Sequence, residues 1–198
     1  MQPNFYRYLF AARPGPHLRH RLVELQAQTG QVEKAVPEYL LHLTFCVVQE
    51  SVSRDRFLLP RADAVLSTGD LSSGPLWLGR VRGGVNGAIL SSRGRKPEFM
   101  DLYHDLIGRL AQRDILPLYR RAGLHPHFTL GHDACAFEPF LIREEWVPDE
   151  LLLIESEVGR TVHNILGRWP LLAPPQGFLP FDPPPLPPPL LAAGGWRM

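Results

Sequence analysis

Two short segments of the chain carry the same order of side chains: a histidine, an apolar residue, a threonine and a second apolar residue. They are His42-Leu43-Thr44-Phe45 and His127-Phe128-Thr129-Leu130. Histidine changes charge near neutral pH, so it can take or give a proton, and a threonine hydroxyl can donate a hydrogen bond to an oxygen that gains negative charge. Two such pairs at one site would suit metal-independent acid–base chemistry at a phosphodiester.

The spacing of these residues predicts how each segment presents them. Side chains alternate between the two faces of a β-strand, so His42 and Thr44 share one face, as do His127 and Thr129. The apolar residues between them point the other way, into packed core. If the two strands face one cleft, that cleft holds two imidazoles and two hydroxyl groups.

The surrounding pattern predicts an α+β body with mostly antiparallel sheets. Helices are predicted where apolar residues recur every three or four positions, and strands where they alternate or run together. The predicted helices are Pro16 to Gln28, Arg54 to Leu66 and Pro97 to Arg113. The predicted strands are Phe5 to Ala12, Leu40 to Val48, Leu76 to Arg82, Val85 to Ser92, Pro126 to Gly131, Leu151 to Val158 and Thr161 to Trp169, with a polar loop at Ser67 to Pro75.

Length and composition describe an ordinary globular protein. The chain has 198 residues, of which 44% are hydrophobic and 21% charged, and its net charge of +1 gives no case for a general nucleic-acid coat or a membrane-surface protein. No apolar run approaches the roughly 20 residues that span a bilayer, and no secretory signal is recognisable. We therefore expect a cytoplasmic protein. Cys46 and Cys135 fit a reducing compartment.

Two residue types are distributed unevenly. Lys34 and Lys96 are the only lysines among the 21 basic residues, so 19 are arginines, which suit contact with phosphate. Arg80 and Arg82 share a strand face, and either phosphate contact or simple exposure explains them. Nine of the 21 prolines follow residue 173, so we divide the chain into a folded body at 1–172 and a Pro-rich tail at 173–198. That tail is either lightly packed or a polyproline II ligand.

The motifs resemble those of the 2H phosphoesterases, in particular the branch of 2'-5' RNA ligases and RNA 2',3'-cyclic phosphodiesterases. The resemblance covers about residues 4 to 172. The first segment that carries it is similar to the branch's opening strand, the next two to its paired motifs and the last two to its closing hairpin. In order they are Arg7 to Ala11, Leu40 to Phe45, Pro126 to Leu130, Leu152 to Ser156 and Leu166 to Leu171.

This resemblance implies two pseudo-symmetric lobes, each an antiparallel sheet with helices packed outside, that enclose a central cleft. It implies hydrolysis of a 2',3'-cyclic phosphate, on an RNA end or a small nucleotide, to a 2'-phosphomonoester, with reversible 2'-5' joining of RNA. His42 would be the general acid, His127 the general base, and Thr44 and Thr129 would bind phosphate oxygens. It implies no cofactor and a role in RNA processing, and we expect a monomer with no obligatory protein partner.

Other residues are candidates for substrate binding. Cys46 and His132 stand where many members of that branch have arginine, and alternation would place Cys46 on the cleft face. Tyr8 and Phe10 flank the first motif strand as candidates for base stacking. His163 stands where the resembling proteins often have tyrosine.

Two alternatives to this chemistry remain open at the level of sequence. The first is a non-catalytic binder of RNA ends or phosphorylated nucleotides, which needs hydrogen-bond donors but not two histidines of opposite protonation. The second is a metal site, because His125 and His127 alternate along a strand and His132 could be a third ligand.

Overall fold

The computed structural model describes residues 5–29, 34–119, 123–133 and 135–173. Within these ranges the chain forms nine β-strands and three α-helices, in an α+β arrangement. A 3₁₀ turn, Glu38–Leu40, precedes the second strand. The strands are β1 Phe5–Ala12, β2 Leu43–Ser51, β3 Leu71–Ser72, β4 Leu76–Arg82, β5 Ala88–Ser92, β6 His127–Gly131, β7 Phe140–Trp146, β8 Glu150–Val158 and β9 Val162–Leu172. The helices are α1 Pro16–Thr29, α2 Leu58–Leu66 and α3 Pro97–Ala111.

All nine strands belong to one mixed sheet, in the order β3-β9-β8-β1-β2-β6-β5-β4-β7. Only β3 and β9 run parallel to each other among the described strand pairs. The family resemblance implied two pseudo-symmetric lobes, each with its own antiparallel sheet. The structure instead joins the strands into one sheet, because β2 and β6 pair directly at Leu43 and Phe128. We call these two residues the junction pair.

The main core lies between the sheet and the three helices. Helix α3 buries Phe99, Leu102, Leu106 and Leu110, which recur at the spacing of an amphipathic helix, and Pro97 occupies its first turn. A smaller apolar cluster consists of Leu9, Ala11, Leu152 and Ile154, with Val47 and Ile165 packed against it. Strand β8 contributes Leu151 and Leu153 to the main core and Leu152 and Ile154 to the smaller cluster, so it is buried on both sides.

The predicted elements differ from the observed ones mainly at their ends. Helix α2 begins at Leu58 rather than at Arg54, because the carboxylate of Asp55 accepts hydrogen bonds from the backbone N–H groups of Phe57 and Leu58 and turns the chain before the helix. Pro60 is tolerated because it lies in the first turn, where backbone N–H groups have no helical partner. The predicted Pro-rich tail falls outside the described residues, except for residue 173.

The sequence patterns missed two strands. Strand β7 alternates half-buried and exposed residues and carries three charged side chains, so its apolar signal is weak. Strand β3 has two residues and pairs with the end of β9 inside the predicted polar loop. Among the described residues, no helix combines the length and the apolar character that a membrane span requires.

Candidate active site

The two motif histidines are held in the same way. The Nδ1 atom of His42 lies 2.7 Å from the carbonyl oxygen of Leu40, and the Nδ1 atom of His127 lies 2.7 Å from that of His125. A carbonyl oxygen can only accept, so Nδ1 carries the hydrogen in both rings. The backbone two residues earlier therefore fixes each ring and leaves its Nε2 atom to exchange a proton.

The register of the sheet brings the two motifs together. Leu43 pairs with Phe128, and both side chains are fully buried on the core side. In an antiparallel pair, one step forward on one strand is one step backward on the other. His42 therefore stands beside Thr129, and Thr44 stands beside His127, all on the face opposite the core. All four side chains retain partial exposure to solvent.

A groove of about 890 Å³ opens on this face. Its lining includes His42, Thr44, Thr129, His132 and His163. Five of the predicted site residues thus meet in one concave surface. His127 is not among the residues that line this groove; it directly precedes Phe128 of the junction pair on β6 and pairs with Ser91 of β5.

His163, on β9, lies against the first motif. Its ring centroid is 5.1 Å from that of His42, in an edge-to-face arrangement. Burial, together with the charges of His42, Arg13 and His132, lowers the pKa of His163 to about 4. Its Nδ1 atom is buried and has no hydrogen-bond partner among the described residues. His163 is therefore neutral at pH 7, and its Nδ1 atom remains available for a hydrogen bond.

The pKa of His42 is lowered as well. Burial is the main cause; the hydrogen bond to Leu40 opposes it, while the positive charges of Arg13, His127 and His132 add to it. The protein without substrate therefore favours neutral His42. A bound phosphodiester would bring a negative charge and move this pKa upwards.

Arg13 is a member of this site that sequence reasoning missed. It follows directly after β1, whose last residue, Ala12, pairs with Leu43 of the first motif. Its charge lowers the pKa of both His42 and His163. Its buried Nε atom has no hydrogen-bond partner within the described part of the chain. Only the pairing of β1 with β2 reveals this proximity, and the sequence alone does not give that register.

His132 lies at the exposed rim of the groove. Its backbone N–H donates to the carbonyl oxygen of Lys34, at 3.3 Å. The ammonium group of Lys34 in turn lies 3.1 Å from the carboxylate of Asp133. The predicted replacement of an arginine by His132 thus falls at the rim, next to a lysine that is already paired.

The prediction that Cys46 shares the cleft face with His42 is wrong. Cys46 is 6% exposed and belongs to the main core, where burial raises the pKa of its thiol to about 12. The cause is an irregularity in the ladder: Ala11 pairs with Thr44, whereas Phe10 pairs with Cys46, so Phe45 is an extra residue in β2. This β-bulge reverses the alternation of faces after Thr44.

Tyr8 and Phe10 are also core residues rather than substrate contacts. Both are fully buried, and Phe10 packs against Trp169. The Tyr8 hydroxyl donates to the carboxylate of Glu155 at 2.9 Å and accepts from the backbone N–H of Asp55 at 2.7 Å. Burial, aided by Glu155, raises the pKa of Tyr8 to about 12. These two aromatic rings stabilise the sheet from its core side.

The structure also places the residues of the alternative metal site. His125 is exposed and lies before β6, and its carbonyl oxygen holds the ring of His127. Across the described residues, no group of three or more histidine, cysteine, aspartate or glutamate side chains is arranged to hold a metal ion.

No protein-family model matches the chain, and no curated protein sequence matches it. Solved structures do. LigT of E. coli, in its complex with 3'-AMP, superposes with a TM-score of 0.68 at 20% identity, over 84% of this chain and 98% of LigT. The chain has the LigT fold. TT0787 of Thermus thermophilus shares the fold with a TM-score of 0.65 at 22% identity, over 83% of this chain and 97% of TT0787. The PDE domain of MHV ns2 gives 0.52 at 14% identity, over 76% of this chain and 98% of that domain.

Proposed function

We propose that the protein is a 2H-type cyclic phosphodiesterase that opens a 2',3'-cyclic phosphate to a 2'-phosphomonoester. One observation carries the proposal: His42 and His127 are each fixed through Nδ1 by a carbonyl two residues earlier, on the same face of the sheet. Each ring thus offers Nε2 for proton transfer beside a threonine hydroxyl. The LigT fold and the complex of LigT with 3'-AMP support a nucleotide as substrate.

The chemical step needs one histidine of each protonation state. The neutral imidazole takes a proton from water as the water oxygen bonds to phosphorus, and the bond from phosphorus to the 3'-oxygen breaks. The protonated imidazole gives its proton to that 3'-oxygen, and the phosphate stays on the 2'-oxygen. Thr44 and Thr129 donate hydrogen bonds to the non-bridging oxygens as their negative charge grows.

The same step with a different nucleophile joins RNA. When the 5'-hydroxyl of a second strand replaces water, its oxygen bonds to phosphorus, the 3'-oxygen leaves, and a 2'-5' linkage forms. The protons move between the same two imidazoles. Hydrolysis and 2'-5' joining therefore share one site, and the nucleophile that reaches phosphorus decides between them.

We assign His42 as the acid and His127 as the base. Because the pKa of His42 is lowered in the free protein, this assignment requires the negative charge of the bound phosphodiester to raise it. A substrate with sulfur in place of the 3'-oxygen tests the assignment, since a thiolate leaves without a proton. Restored turnover by His42→Ala on this substrate supports it, and restored turnover by His127→Ala reverses the two roles.

The activity itself is tested with 2',3'-cyclic mononucleotides and a cyclic-ended oligoribonucleotide, with and without a chelator, and with separation of 2'- from 3'-phosphate products. His42→Ala and His127→Ala should each lower kcat by about 10² to 10⁴. His104→Ala is the matched control, because His104 is an exposed histidine on α3 away from the groove.

Three outcomes would overturn the proposal. Folded wild-type protein that binds both substrates without turnover is a binder. Turnover that chelator abolishes requires a metal. Full activity in either alanine variant moves the chemistry away from this pair.

A further inference from the structure

A second groove, of about 650 Å³, lies on the same sheet beyond the motif strand β6. Three of the residues that line it are arginines: Arg80, Arg82 and Arg93. The lining also includes Ser91 and Leu141, and no acidic side chain is part of the described lining. The groove is thus a concentration of positive charge on a chain whose net charge is only +1.

These three arginines are not neutralised within the described residues: none lies within 4.0 Å of an acidic side chain there. Six other described arginines do have such partners. The guanidinium group of Arg168, for example, lies 2.8 Å from the carboxylate of Glu150. Other exposed arginines, such as Arg56 and Arg113, also have no acidic partner among the described residues, but they lie away from this groove. Arg80, Arg82 and Arg93 instead lie together in one concave surface.

The register of the sheet connects this groove to the candidate active site. His127 pairs with Ser91, and Ser91 pairs with Arg80, so all three side chains point to the same face on adjacent strands. Thr129 is connected in the same way to Arg82, through Ile89. Two strand spacings separate each arginine from its motif residue, which is about 10 Å.

Gly79, next to Arg80 on β4, lets Arg93 of the groove approach this strand closely. A Cβ atom at this position would lie 2.7 Å from the Cβ atom of Arg93, which is closer than side chains pack. The missing side chain lets the aliphatic stem of Arg93 lie against β4. The backbone N–H of Arg93 also donates to the carbonyl oxygen of Trp77 at 2.8 Å, which fixes the start of this side chain.

We propose that this groove binds the sugar-phosphate backbone of the RNA strand whose cyclic end lies between His42 and His127. The planar guanidinium groups of Arg80 and Arg82 suit bidentate contact with phosphate. Arg80 and Arg82 lie at a fixed distance from β6, so they would contact the part of the RNA that leads away from its reacting end. The inference rests on the proposed function and deepens it: the substrate is an oligoribonucleotide rather than a free cyclic nucleotide.

The test compares a cyclic-ended hexaribonucleotide with the cyclic mononucleotide of the same terminal base. For the double variant R80Q/R82Q, the ratio of kcat/KM on the hexamer to kcat/KM on the mononucleotide should fall about tenfold or more. The salt dependence of hexamer binding should also weaken, with the slope of log K against log salt reduced by about 1.4 for two lost phosphate contacts on a single strand.

R56Q/R113Q is the matched control. Both of its arginines are exposed and lie away from the groove, and the double substitution changes the net charge equally. The proposal is wrong if the two double variants lower the ratio equally, or if R80Q/R82Q leaves both the ratio and the salt slope unaltered. Binding of an aspartate-rich peptide that R80Q/R82Q abolishes, without any effect on the hexamer, would assign the groove to a protein instead.

Failure of the proposed function is distinguished by a binding measurement on a fluorescent hexamer that ends in a 2'-phosphate. If wild-type protein turns over neither cyclic substrate but binds this hexamer tightly, and R80Q/R82Q weakens the binding, then the catalytic proposal fails and the RNA groove stands. If turnover is robust and hexamer and mononucleotide are equally good substrates, then the groove fails and the catalytic proposal stands.

Discussion

Acid should destabilise this protein through His163. Its pKa is about 4 in the folded protein and 6.5 as an ordinary histidine, so the unfolded chain binds a proton at a pH where the folded chain does not. The free energy of unfolding is therefore undiminished above pH 6.5 and falls as the pH drops from 6.5 towards 4. His163→Asn removes the titrating group and should remove this part of the loss.

The magnitude follows from the two pKa values. At 1.36 kcal/mol for each pH unit, a pKa of about 4 in place of 6.5 corresponds to about 3 kcal/mol of unfolding free energy. His163 keeps partial exposure, and solvent screening reduces the expected loss to about 2 kcal/mol. A loss of this size is a substantial part of the stability of a small domain.

Urea denaturation measures this effect at about pH 7 and about pH 4.5 on wild type, His163→Asn and His104→Asn. The histidine in the control is exposed on α3, so it reports what an ordinary histidine contributes. Wild type and His104→Asn should lose about 2 kcal/mol more than His163→Asn over this range. Equal losses in all three proteins would refute the placement of His163 in its partly buried, edge-to-face contact with His42.

Three further substitutions test other parts of the structure. Cys46→Arg should cost about 3 kcal/mol or more of unfolding free energy in urea denaturation, because it places a charge in the main core; a stable, active variant would return Cys46 to the cleft face. Arg13→Gln should raise the pKa of His42, measured by NMR titration of its ring proton, and an unaltered titration would remove Arg13 from the site. Tyr8→Phe should lower the free energy of unfolding by about 1 to 2 kcal/mol, since it leaves Glu155 and the N–H of Asp55 without their shared hydroxyl; a neutral effect would show that water replaces it.

The sequence was a good guide wherever the pattern is local. The bounds of β1 and β4 agree with prediction, and α1 and α3 differ only at their last residues, because their apolar spacing decides their structure. The alternation within each motif also places His42 with Thr44 on one face of its segment and His127 with Thr129 on one face of theirs. These predictions need no knowledge of which strand lies beside which.

What could not be predicted depends on pairing between distant segments. The extra residue Phe45 is visible only against β1, and it moves Cys46 from the cleft to the core. Arg13 joins the site because Ala12 pairs with Leu43, and Tyr8 is a core residue because Glu155 on β8 accepts the hydrogen bond from its hydroxyl. The prediction of two sheets failed for the same reason, since a single pairing makes them one.

The junction pair also decides how the strands of the two motifs are connected. Strands β8 and β9 are bonded along most of their lengths, whereas β2 and β6 share only the rung at Leu43 and Phe128 within their described residues. Longer pairings lie on either side of the junction pair, β1 with β2 and β5 with β6, and the single pair Leu43 and Phe128 connects the strand that follows His42 to the strand that begins at His127. Under the proposed function, the distance between the two proton-transferring imidazoles is therefore set across a single pair of residues, both fully buried on the opposite face of the sheet.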